Sequence, residues 1–188
     1  MIFLDVDGVI CNWTLGFADL AKIPESKRPI GGNLEFRWAE DTVKPRSIWS
    51  YKLDQFFWSE LPAYPYAAAL VQTVEKFDKN FRFLTASPNE SAFHSGRAQW
   101  IKREFGTKYL DKLIICCKDK SFCARNNVLI DDKQRNIDSF CNNGGYGYLW
   151  KEVNGLKWTH ASVDRWLFQL KELEEYLGAF DPKYLRKY

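Results

Sequence analysis

Long apolar runs are missing from this sequence. None approaches the ~18 consecutive apolar residues that a membrane-spanning helix needs, so no span is expected. No leader is expected either. The apolar stretch that begins at Met1 meets its first acid at Asp5, which reads as a core strand rather than a signal peptide and makes the cytoplasm the expected location. The cysteines, at positions 11, 116, 117, 123 and 141, are odd in number and form no Cys-x-x-Cys. That speaks against a zinc site and a disulfide framework, and leaves buried free thiols in a reducing compartment as the expectation. His94 and His160 stand isolated and receive no role. A large excess of either charge is missing as well. The net charge is +3 and no long basic run occurs, so a nucleic-acid strand is an unlikely partner, whereas a small phosphate-bearing molecule suits the mild positive balance. There is neither an internal repeat nor a low-complexity tract.

What is present can build a core. The chain has 188 residues, 46% of them hydrophobic and 16% aromatic, enough for one domain with a small insertion. Some of the rings are expected to face a planar ligand. The first residues, Met1-Ile2-Phe3-Leu4-Asp5-Val6-Asp7-Gly8-Val9, carry the most information. A continuous apolar run reads as a strand buried on both faces. Asp5 and Asp7 then fall at its carboxyl end, where open α/β sheets place their chemistry. Two carboxylates two residues apart project to the same side and repel, and a divalent cation with a taste for oxygen relieves them. The plainer alternative is a strand ending in a polar Asp-Gly turn.

The pattern recurs along the chain. Val128-Leu129-Ile130 runs into Asp131-Asp132, Phe81-Arg82-Phe83-Leu84 into Thr85-Ala86-Ser87-Pro88, and Leu113-Ile114-Ile115-Cys116 precedes Lys118-Asp119-Lys120. Helices are expected near 13–21, 49–57, 67–77, 91–105, 134–141 and 163–177. The last would carry an apolar stripe of Val163, Trp166, Leu167, Leu170, Leu173 and Leu177, and stop at Gly178. Residues 24–46, with their prolines and Gly31-Gly32, read as loops with short helices. Strands are expected at 81–85, 113–116, 128–131 and 146–150, and strands alternating with helices predict a parallel sheet with right-handed crossovers.

In this order, the Asp-x-Asp-Gly-Val start, the strand ending in Thr-x-Ser, the downstream lysine and the Asp-Asp pair resemble the haloacid dehalogenase (HAD) superfamily of phosphohydrolases. Further stretches are similar to 5′(3′)-deoxyribonucleotidases: Ser47-Ile48-Trp49, Gln55-Phe56-Phe57-Trp58, Leu84-Thr85-Ala86-Ser87-Pro88, Trp100-Ile101-Lys102-Arg103-Glu104-Phe105-Gly106 and Leu129-Ile130-Asp131-Asp132-Lys133. The resemblance implies an α/β fold, a HAD-like Rossmannoid core from residues 1–13 and 61–188, with a small helical cap at 14–60. It implies a Mg²⁺-dependent phosphomonoesterase acting on (deoxy)ribonucleoside monophosphates. Asp5 would be the nucleophile and Asp7 the acid/base. Thr85, Ser87 and Lys120 would bind phosphate. Trp13 and Trp49 would enclose the nucleoside. Asp5, Asp7, Asp132 and Asp131 would form the metal site, Asp132 as direct ligand, Asp131 as its neighbour and Asp7 through its backbone carbonyl.

Other readings of these residues stay open. Asp131 could cap a following helix, Thr85 and Ser87 could serve the turn before Pro88, and Lys118 competes with Lys120. Lys133 stands where the family often has arginine, and either touches phosphate or is solvated. Trp13, Trp38, Trp49, Phe56 and Phe57 could be plain packing. Alternative functions are a polynucleotide end phosphatase and a non-catalytic nucleotide-binding protein of the same fold. The oligomeric state, a homodimer included, is not legible.

Overall fold

The computed structural model describes residues 1–27, 52–88, 90–151 and 160–180. Its centre is β1 (Ile2–Leu4), buried along its whole length. Ile2 and Leu4 face one apolar cluster and Phe3 the other, so both faces of the strand are covered. This is why the sequence there is continuously hydrophobic rather than alternating. β2 (Arg82–Ala86) and β4 (Val128–Asp131) flank it in parallel. β3 (Leu113–Cys116) pairs outside β2 and β5 (Tyr146–Leu149) outside β4, giving a five-stranded parallel sheet in the order β3-β2-β1-β4-β5.

The chain leaves β1 on one side, reaches the edge at β3, then returns to the opposite side of β1. That reversal opens a crevice at the carboxyl ends of β1 and its neighbours. The connections are α1 (Trp13–Leu20), α2 (Gln55–Glu60) and α3 (Ala67–Phe77) between β1 and β2, α4 (Ser91–Phe105) between β2 and β3, and α5 (Gln134–Asn142) between β4 and β5. α6 (His160–Gly178) follows. Phe17, Ala18, Leu53, Phe57 and Trp58 pack into the same large cluster as Leu4, Phe83 and Ile130, which joins the described parts of 14–60 to the sheet's core.

Several expectations need correction. The helix foreseen at 49–57 is α2, and it starts at Gln55. Asp54 is its N-cap, its carboxylate accepting from the Phe57 backbone N–H at 2.9 Å, and a cap residue cannot lie inside the helix it starts. Residues 49–51 lie outside the described set. Phe56 is 73% exposed and belongs to neither core cluster. The stripe of the last helix holds in four of its six residues: Leu173 and Leu177 are buried and Trp166 and Leu170 pack partly buried against the core, whereas Val163 and Leu167 are exposed. Gln169 takes the inward place instead, exchanging two hydrogen bonds with the backbone of Lys151, at 2.8 and 3.0 Å. All five cysteines are free, but Cys117 and Cys141 are exposed rather than buried.

Candidate active site

The turn after β1 builds the floor of the site. The Asp5 backbone N–H continues the ladder by donating to the Ile130 carbonyl at 2.9 Å, which holds its side chain beside the end of β4. Its Oδ1 accepts from the Val6 N–H at 2.8 Å and from the Lys120 ammonium at 2.6 Å. Burial pushes the Asp5 carboxyl well above the usual range, Asp131 adds to this, and Lys120 opposes it. Lys120 is itself buried, its Nζ also 2.7 Å from Asp131 Oδ2. Burial works against the ammonium, but Asp5 and Asp131 outweigh it and hold the lysine above its ordinary value.

Asp131 does two jobs. Its Oδ1 accepts from the Lys133 backbone N–H at 2.8 Å, and the Asn136 amide donates to both of its oxygens at 2.9 and 3.0 Å, so it does organise the start of α5. It also anchors Lys120. Both its oxygens are therefore already accepting. Asp132 lies against Gly8, where a Cβ would fall 2.3 Å from Asp132 Oδ2; the glycine also sits at φ +86°, so no other residue suits this turn as well. One carboxylate oxygen each from Asp5, Asp131 and Asp132 gather within 4.8 Å of one another. An all-oxygen, anionic set of this kind fits a hard divalent cation such as Mg²⁺.

Asp7 faces another way. Its side chain stands outside that group of three, its Oδ1 2.6 Å from Arg97 Nη2 and its Oδ2 accepting from the Thr85 hydroxyl at 3.2 Å. Thr85 ends β2. Ser87 follows, its N–H donating to the Cys116 carbonyl at 2.7 Å and its hydroxyl 2.8 Å from His94 Nε2.

Above this floor is a pocket of about 320 Å³. Trp13, Leu53, Trp58 and Phe93 form an apolar wall, and Lys118, Lys133 and Arg135 supply cations. Thus Asp5, Asp7, Thr85, Ser87 and Lys120 all line one cavity, with Trp13 among the walls; Trp49 and Trp38 lie outside the described residues. Between the two competing lysines, Lys120 is the one brought onto Asp5, whereas Lys118 is exposed, at φ +67°. Sequence reasoning missed Arg97, Trp58, Phe93, Arg135 and Asn136, and left His94 without a role. Only Arg97 had a flag: it stands in register with Phe93, Trp100 and Ile101, a cation on the buried apolar stripe of a helix.

No profile of a known protein family matches the chain, and no curated protein does. Solved structures do. A HAD family hydrolase from Deinococcus radiodurans R1, with bound phosphate and sodium, is 14% identical over 87% of this chain and 86% of that chain, with a TM-score of 0.53. An L-2-haloacid dehalogenase from Xanthobacter autotrophicus is 11% identical over 89% of this chain and 82% of that one, at 0.49. A HAD family enzyme from Bacteroides thetaiotaomicron in complex with magnesium and inorganic phosphate is 16% identical over 85% and 97%, at 0.42. The likeness to the Deinococcus protein shows the fold: this chain has the α/β architecture of the HAD hydrolases, with a five-stranded parallel sheet.

Proposed function

We propose that this chain is a Mg²⁺-dependent phosphomonoesterase that acts on nucleoside monophosphates through an aspartyl-phosphate. The observation that carries the reading is the buried Asp5–Lys120–Asp131 chain at the mouth of β1 and β4, opening into an apolar-walled, cation-rimmed pocket. Phosphoryl transfer asks for an in-line nucleophile, neutralised charge and a proton donor, and each has a candidate here.

Asp5 is the nucleophile. The Val6 N–H and the Lys120 ammonium both meet Oδ1, so Oδ2 is the oxygen that attacks phosphorus as the ester P–O bond breaks. Asp7 gives its proton to the departing alkoxide, then takes one from the water that attacks the aspartyl-phosphate and frees Asp5. Oδ2 is the natural atom for this, since Arg97 occupies Oδ1. Thr85, Ser87 and Lys120 bind phosphate oxygens, Lys120 while orienting Asp5. Asp5 and Asp132 would hold Mg²⁺, with the Asp7 carbonyl and with Asp131 as neighbour. When bound, the ion neutralises and orients the phosphoryl group.

The Deinococcus fold neighbour holds phosphate, which supports this direction. The nucleoside assignment rests on the aromatic wall. Trp13 stands in it, and the resemblance assigns Trp49, which lies outside the described residues, to the same role in the segment 14–60 that we propose as a cap. Flat rings offer stacking worth roughly 1–3 kcal/mol per base in single-strand sites. The test is release of inorganic phosphate from dNMPs, NMPs and 3′-phosphorylated oligonucleotides, with and without Mg²⁺. Mg²⁺-dependent cleavage of the mononucleotides is expected. No release from any of them contradicts the reading, and release from oligonucleotides alone redirects it to strand ends.

A further inference from the structure

Arg97 touches no reacting atom in that scheme and enters it only as the partner of Asp7 Oδ1. It is fully buried on the core side of α4. The rings of Trp58, Phe93 and Trp100 surround its guanidinium, with centroids 5.6, 5.3 and 5.5 Å from the central carbon. Nη1 donates to Cys11 Sγ at 3.2 Å, and burial pushes that thiol up to about 12, so it is a neutral partner and no counter-charge. Nε has no hydrogen-bond partner. Among the described residues the anion that meets Arg97 directly is Asp7, at 2.6 Å.

A buried ion pair is a poor device for stability. Desolvation costs several kcal/mol per ion, and apolar side chains of the same volume often serve as well or better. An arginine boxed by three rings and left with one unmet N–H therefore calls for another explanation. Its position supplies one. The rings fix the guanidinium, the guanidinium fixes Asp7 Oδ1, and Asp7 Oδ2 is then held between the Thr85 hydroxyl and the pocket. We propose that Arg97 is a positioning residue that locks the Asp7 carboxylate in the rotamer needed for proton transfer, and that Trp58, shared by the box and the pocket wall, ties this lock to α2. The proposal deepens the phosphatase reading and rests on it for Asp7's role. General acid–base catalysis supplies typically 10²–10⁴-fold, and a displaced carboxylate forfeits much of that.

The experiment has two arms. The kinetic arm compares Arg97→Met and Arg97→Lys with wild type on a nucleoside monophosphate and on an aryl phosphate with an acidic phenol. Arg97→Met should lower kcat on the nucleotide by about 100-fold, with KM nearly unchanged and a much smaller loss on the aryl ester, which needs little protonation. Arg97→Lys should recover part of the loss. Equal losses on both substrates, or none on either, overturn the proposal. The stability arm needs no activity. Asp7→Asn should lower Tm by about 6 °C or more, because an uncompensated cation is left buried, and adding Arg97→Met should raise Tm again. An unchanged Tm in Asp7→Asn, or a further fall in the double variant, overturns the proposal. A wild-type protein that hydrolyses neither ester sinks the phosphatase reading instead, and the stability arm then decides on its own whether Arg97 holds Asp7.

Discussion

Asp5 and Asp7 stand two residues apart and have been given opposite surroundings. Asp5 meets a buried ammonium that it shares with Asp131, and Asp7 meets a buried guanidinium and a hydroxyl. Their proposed roles are separable by substitution. Asp5→Asn keeps the size and removes the attacking charge, so turnover should fall by orders of magnitude, about 4 kcal/mol or more in the barrier. Its fold should survive, since Lys120 retains Asp131 and a desolvated carboxylate is gone; a circular dichroism melt checks this beside the rate assay. Asp7→Asn should hurt nucleotide hydrolysis more than aryl phosphate hydrolysis, and a parallel Mg²⁺ titration shows whether a disturbed metal site is responsible instead. At this scale much of the floor was legible. Acids and hydroxyls just past apolar runs announce themselves, and Asp5, Asp7, Thr85, Ser87 and Lys120 do line one cavity. Arg97 was hidden because its partner lies 90 positions away, and no local pattern records a contact of that span. The pairing of Ser87 with His94 was hidden differently. The two are seven apart, but Ser87 lies before the start of α4 at Ser91, so the helical relation that such a spacing has within one helix does not join them.

The elements hold the site by close approach as much as by hydrogen bonds. Gly8 allows the turn after β1 to lie against Asp132, and Gly96 allows α4 to lie against α2, where a Cβ would fall 2.5 Å from that of Trp58. Gly8→Ala should therefore cost at least about 1–2 kcal/mol from the left-handed backbone alone, and should also weaken Mg²⁺ binding by pushing Asp132 aside. A thermal melt together with a Mg²⁺ titration checks both, and a variant that binds Mg²⁺ as wild type does contradicts the placing of Asp132 at the metal. Trp13→Ala should raise KM for nucleotides while sparing a small aryl phosphate, since it trims the apolar wall and leaves the floor intact. The strands and the longer helices were read correctly within a residue or two, apart from the earlier start of the last helix, because a run buried on both faces and a 3.6-residue stripe are strong signals. The start of α2 depended on Asp54 turning back to cap it, and the inward face of α6 depended on Gln169 finding the Lys151 backbone. Both are tertiary choices that hydrophobic periodicity does not register.

On the scale of the whole molecule, the strand order β3-β2-β1-β4-β5 brings residues from 5 to 136 to one crevice. Among the described residues no helix is long and apolar enough to cross a membrane. The buried carboxylates repel one another at that crevice, so a cation that binds only the folded state should stabilise the protein. At 100 times its dissociation constant Mg²⁺ would add about 2.7 kcal/mol, which differential scanning calorimetry would register as a rise in Tm, and Asp132→Asn should reduce that rise. The proposed substrate class rests on the wall and the rim together. A snug aromatic pocket disfavours a buried 2′-hydroxyl without a partner, so deoxyribonucleotides should be cleaved in preference to ribonucleotides, which paired kcat/KM values would show. Whether Asp5 carries the phosphoryl group can be examined directly. Turnover of a deoxyribonucleoside monophosphate with Mg²⁺ should be quenched in acid and the peptides analysed by mass spectrometry. One added phosphoryl group is expected on the peptide bearing Asp5, removable by hydroxylamine and absent from Asp5→Asn. Sustained phosphate release with no such adduct, and with Asp5→Asn as active as wild type, would contradict the role given to Asp5.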